Sequence, residues 1–172
     1  MKKTVLLVLT LCMTLASAIA QEENRPSPSE RYPTLPPFTL LAPDSSKLTR
    51  EDLPRHKKTL LFYFSPDCDH CREQTNAMLK NMDRLKNIEI LMVTYQPFEE
   101  MVAFYREHAL QNYSNIKVGR DTQFFFVPYY RVRNLPYQAL YDAKRNLIKT
   151  FEGNVSLDKV VRAFEGKGRR GK

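Results

Sequence analysis

Leu60-Leu61-Phe62-Tyr63-Phe64-Ser65-Pro66-Asp67-Cys68-Asp69-His70-Cys71 is the stretch from which the rest of the chain can be read. Its first five residues are apolar at every position, the mark of a strand buried on both faces inside a helix-covered sheet. Ser65-Pro66-Asp67 makes a turn. Beyond it, Cys71, Thr75, Met78, Met82 and Leu85 form one stripe of a helix over Arg72 to Leu85. Cys68 and Cys71 stand one helical turn apart, so their thiols can reach each other. Cys68 lies at the helix N-terminus, where unpaired N–H groups and the dipole favour a thiolate. Cys71 falls on the core-facing stripe. An open attacking thiol beside a shielded resolving thiol is the asymmetry that disulfide exchange needs.

The chain has 172 residues, a formal charge of +8 and three cysteines. Residues 1–20 read as a signal peptide. Lys2 and Lys3 give a basic start, Val5 to Leu15 is mostly apolar, and Ala18-Ile19-Ala20 fits a cleavage site before Gln21. Export is expected, with the periplasm as destination and the membrane touched only through an uncleaved signal. The apolar stretch is short for a transmembrane span. Cleavage would remove Cys12 and leave Cys68 and Cys71 as the only pair. With no second pair to staple the fold, the two cysteines read as working chemistry. Part of the positive charge lies in Lys167, Arg169, Arg170 and Lys172, which read as a solvated basic tail over 167–172. No nucleic-acid partner is expected.

Residues 21–37 hold Pro26, Pro28, Pro33, Pro36 and Pro37 and read as a spacer without helix or central strand. One domain is predicted over 38–166. Phe38 to Leu41 is a short strand, Ala42 to Lys47 a turn, and Leu48 to Leu53 a second strand or a helical turn. Ile88 to Thr94 is another central strand, so strand, helix and strand form a right-handed parallel crossover. Pro97 opens a helix with Glu99 and Glu100 in its first turn and Met101, Phe104, Tyr105 and His108 as its stripe. Asn112 to Val118 is expected at a sheet edge, followed by a turn at Gly119-Arg120-Asp121. Phe124 to Tyr130 reads as core or small-helix packing, with an aromatic docking surface as the other reading. Tyr137 to Tyr141 and Leu147 to Phe151 make a hairpin. Ser156 starts a last helix whose buried face is Leu157, Val160, Val161 and Phe164, ended by Gly166. The class is α/β, a central sheet with helices on both faces.

Phe62 to Cys71, together with Val132-Arg133-Asn134-Leu135-Pro136-Tyr137 ahead of the hairpin, resembles the thioredoxin superfamily. The closest likeness is to its exported TlpA-like and redoxin branch, whose extra N-terminal hairpin is matched by Phe38 to Thr49. The resemblance implies a thioredoxin-like fold with a central mixed β-sheet, that extra β-hairpin and a helical insertion. It implies a thiol–disulfide oxidoreductase with Cys68 attacking and Cys71 resolving. It also implies a cis bond before Pro136, beside the disulfide, with the backbone of Leu135 pairing with the substrate chain. Protein thiols and disulfides would be the substrates, served by a membrane or periplasmic redox partner, without metal or organic cofactor.

The chain also departs from the family. Asp67 stands where a Trp is usual, Phe62 where thioredoxin has a buried acid, and Gln74 where many TlpA-like reductants have an acid. His70 resembles oxidase and isomerase motifs; a cationic imidazole there would favour the thiolate and a more oxidising disulfide. Asp67 and Asp69 push the other way and Arg72 partly offsets them, so the direction of electron flow stays open.

Other chemistries fit less well. A zinc site needs a second ligand pair that the chain lacks. Covalent haem needs His where Arg72 stands. A peroxidatic site wants a hydroxyl three residues before its cysteine, which Ser65 supplies, and a proline four further back, where Leu61 stands. A non-enzymatic alternative is a binding module that docks a partner through the Pro136 face.

Overall fold

The computed structural model describes residues 25–166. The expected signal peptide over 1–20, the expected basic tail over 167–172 and residues 21–24 of the expected spacer lie outside the described residues. Seven strands form one mixed sheet: β1 (Thr39–Leu41), β2 (Lys47–Thr49), β3 (Lys58–Tyr63), β4 (Ile88–Thr94), β5 (Ile116–Arg120), β6 (Tyr137–Tyr141) and β7 (Leu147–Glu152), in the order β2-β1-β5-β4-β3-β6-β7. β3, β4 and β5 are parallel, and the hairpins β1–β2 and β6–β7 join them antiparallel. The helices are α1 (Pro28–Arg31), α2 (Asp69–Lys80), α3 (Met82–Leu85), α4 (Phe98–Glu107), α5 (Phe126–Tyr130) and α6 (Leu157–Glu165). This is the thioredoxin-like α/β fold that the sequence implies, with the extra hairpin.

Alternation along β3 sorts two cores. Leu60, Phe62 and Phe64 face a layer with Cys71, Met78, Leu85, Phe104, Val160 and Phe164. Leu61 and Tyr63 face the other, with Leu35, Leu40, Phe126, Tyr130 and Tyr141. So α2, α3, α4 and α6 cover one side of the sheet, while α5 and the N-terminal segment cover the other. Every residue of β4 is buried, as a central parallel strand requires.

Three expectations need correction. The proline-rich segment is an integral strap. Pro28 occupies the first helical turn, where its missing N–H costs nothing, and Ser27 and Glu30 close a capping box around it. Leu35 is buried, Leu35 N–H donates to Arg145 O over 2.9 Å, and Leu147 N–H to Pro33 O over 2.7 Å. The helix expected over 72–85 breaks at Asn81, whose side-chain amide donates to Ala77 O at 2.9 Å before α3 begins. β5 is internal, between β4 and β1, and holds Gly119 and Arg120 in strand rather than turn. A Cβ on Gly119 would come within 2.7 Å of Leu40 Cβ, so this glycine serves close strand packing.

Candidate active site

Cys68 is the N-cap of α2, with extended φ −85° and ψ 113°. The N–H of Cys71 is shared between Cys68 O at 2.9 Å and Cys68 Sγ at 3.3 Å, and Arg72 N–H adds a bond to Cys68 O at 3.0 Å. A thiolate on Cys68 would thus meet an amide donor within the positive end of the helix. Both cysteines are free thiols; Cys68 is partly exposed and Cys71 fully buried. Burial pushes the Cys71 thiol far above the ordinary thiol range, and its hydrogen bond with Cys68 pushes the same way. The expected asymmetry of open and shielded thiols is present in the geometry.

The loop ahead of Cys68 is held from two sides. Cys68 N–H donates to Ser65 O at 3.2 Å; the Ser65 hydroxyl donates to Asp67 and accepts from Gln96 Nε2 at 2.9 Å. Arg72 Nη1 donates to Pro66 O at 3.2 Å, while the same guanidinium pairs with Glu107 and lies 5.9 Å over the Phe104 ring. Sequence reading missed Gln96 and the bracing role of Arg72. The one local signal was their place beside the strand end and the second cysteine.

Asp69 and His70 lie exposed in the first turn of α2, beside the two thiols but out of the core. Phe62, at the family's buried-acid position, is fully buried and apolar. Gln74 is buried, and its Oε1 accepts from Val155 N–H at 2.9 Å; Glu73 accepts from Asn154 at 2.8 Å. The two residues therefore fasten α2 to the loop before α6.

The Leu135–Pro136 bond is cis. Pro136 directly precedes β6, beside the end of β3, where Tyr63 pairs with Tyr137. Pro136 O accepts from Gly153 N–H at 2.9 Å, and Glu152 accepts from Arg133 N–H at 3.4 Å and Asn134 Nδ2 at 3.0 Å. Leu135 is half-buried and touches both cores. The described residues contain no cluster of three or more His, Cys, Asp or Glu side chains able to hold a metal ion.

The AhpC/TSA family profile matches residues 33–163. No curated protein sequence matches. Solved structures of similar fold include a pneumococcal exposed lipoprotein thioredoxin from Streptococcus pneumoniae, at 21% identity and TM-score 0.62, covering 76% of this chain and 99% of that one. A secreted Mycobacterium tuberculosis disulfide oxidoreductase homologous to E. coli DsbE has 15% identity and TM-score 0.62, with 75% and 95% covered. A thiol-disulfide oxidoreductase from Bacteroides fragilis has 17% identity and TM-score 0.62, with 75% and 97% covered. At these identities the likeness speaks for the fold.

Proposed function

The chain belongs to the AhpC/TSA family, and from that premise we propose that it is an exported thiol–disulfide oxidoreductase working on protein substrates through Cys68 and Cys71. The observation that carries this is the partly exposed Cys68 sulfur at the head of α2, hydrogen-bonded by the N–H of a fully buried Cys71. In the reducing direction the Cys68 thiolate attacks a substrate disulfide, forming a mixed disulfide and releasing one substrate thiolate. Cys71 then loses its proton and attacks Cys68 Sγ. The Cys68–Cys71 disulfide forms, and the second substrate sulfur leaves and takes up a proton. The oxidising direction is the reverse. Neither needs a cofactor.

The Pro136 loop lies at the same end of the sheet, next to Tyr137, the partner of Tyr63 at the end of β3, and this supports reading Leu135 as the backbone partner of the substrate. Asp69 and His70 would tune the thiolate from the first turn. The basic and apolar pattern of residues 1–20 supports export to the periplasm and a redox partner there or in the membrane.

Cys68→Ser is expected to abolish insulin reduction and thiol exchange; retained activity would overturn the assignment. Cys71→Ser should trap mixed disulfides visible on a non-reducing gel. Equilibration with glutathione gives the direction. A potential near about −270 mV marks a reductant, and roughly −120 to −180 mV an oxidase or isomerase tuned by His70.

A further inference from the structure

Two large aromatic side chains stand open at the C-terminal end of the parallel strands, the end of the sheet that carries the thiols. Tyr95 is 39% exposed and Phe124 49% exposed, and their rings meet edge to face with centroids 5.2 Å apart. Tyr95 follows directly on β4, and its neighbour Gln96 is the residue that holds Ser65, three positions before Cys68. β4 lies beside β3, so the aromatic pair and the thiol loop leave adjacent strands at the same end. Beneath, Tyr95 stacks on buried Tyr63 at 6.5 Å and 13°, which gives the pair a rigid floor.

Phe124 also sits in a conformation that its side chain disfavours. Its φ is +53°, in the left-handed region. Asp121 fixes the chain on both sides. Its N–H donates to Thr94 O at 2.7 Å, its carbonyl accepts from Phe124 N–H at 3.5 Å, and its carboxylate accepts from Phe126 N–H at 2.9 Å. Phe126 turns into the core, while Phe124 is left facing solvent. An aromatic held at positive φ and left half exposed buries only part of its surface, against Tyr95. Strain of this kind collects at functional sites.

We propose that Tyr95 and Phe124 determine substrate specificity. They form an aromatic platform for an extended polypeptide that carries an aromatic or bulky aliphatic side chain near its reacting cysteine. The inference rests on the redox reading above and adds the class of substrate. The shared C-terminal end of the parallel strands supplies the reason for a polypeptide: a chain whose sulfur meets Cys68 would continue past Ser65 and Gln96 toward the two rings.

The test uses the reduced protein and two disulfide-linked peptide dimers that differ only in Phe or Gly two residues from the cysteine. The wild type is expected to react with the Phe peptide about fivefold to tenfold faster, the range an aromatic contact supplies. Phe124→Gly and, separately, Tyr95→Ser should bring the ratio of rate constants close to one. A wild-type ratio near one, or a ratio kept in both variants, overturns the platform while leaving the redox reading intact. Failure of the wild type to exchange with either peptide overturns both.

Discussion

The backbone N–H of Val155, in the loop ahead of α6, donates to Gln74 Oε1 on α2 across 2.9 Å. Gln74 is buried on the flank of the helix that carries the thiols, so the carbonyl serves packing where a family acid would serve proton transfer. Gln74→Leu leaves the half-buried Val155 N–H without this acceptor and should cost about 0.5–1.5 kcal/mol in a denaturant titration. Gln74→Glu keeps the acceptor and should cost less. Equal losses would show that the hydrogen bond is not what matters.

The two thiols differ in access and in acidity. Alkylation with iodoacetamide at neutral pH should modify Cys68 and spare Cys71 until unfolding, because burial both shields Cys71 and holds its thiol protonated. Mass spectrometry of the labelled peptides reads this directly. Early labelling of Cys71 would reverse the roles of the two residues.

Gly119 is tested by a single methyl group. Gly119→Ala puts a Cβ 2.7 Å from Leu40 Cβ, between two paired strands that have little room to part. A loss of about 1–3 kcal/mol is expected. An unchanged melting temperature would mean that the β1–β2 hairpin shifts freely on β5.

Glu89 lies buried in β4 with one carboxylate oxygen 3.3 Å from Lys57 Nζ and the other without a partner among the described residues. Burial raises its pKa above the model-compound value of 4.5, and the attraction of Lys57 only partly opposes this. A carboxyl with a raised folded pKa costs stability when ionised. The cost is fully present above the raised value and disappears as pH falls below 4.5. Glu89→Gln should therefore stabilise the protein at neutral pH, with the gain fading across that window on acidification. A gain that persists at pH below 4.5 would point to packing rather than charge.

What could be read from sequence was local. The run Leu60 to Phe64, the stripe from Cys71 to Met78 and the two thiols are all set by neighbours a few residues apart, and the structure has each where the periodicity puts it; the continuation of that stripe to Leu85 in one helix fails at Asn81. Pro136 was legible only through likeness to a family. The misreadings share another origin. Gly119 carries a turn signal, but its reason is Leu40, on a strand far away in sequence. Pro28 reads as a helix breaker until Ser27 and Glu30 are seen closing around it. Gln96 and Arg72 look like ordinary surface residues because Ser65 meets Gln96, and Glu107 meets Arg72, only once β3 and β4 are paired and their helices packed. Asp121, which leaves Phe124 outward, likewise acts through bonds that no spacing announces.

The strap over residues 27–37 has a mechanical consequence. It is stitched to Arg145 and Leu147 at one end of the β6–β7 hairpin, and Arg131, after α5, donates to the carbonyl of Arg25. A load applied at residue 25 is therefore taken up at once by the sheet and α5, with no slack to absorb it. The bearing of the thiol edge relative to that point is a fixed property of the domain, like the blade angle of a tool set firmly in its handle.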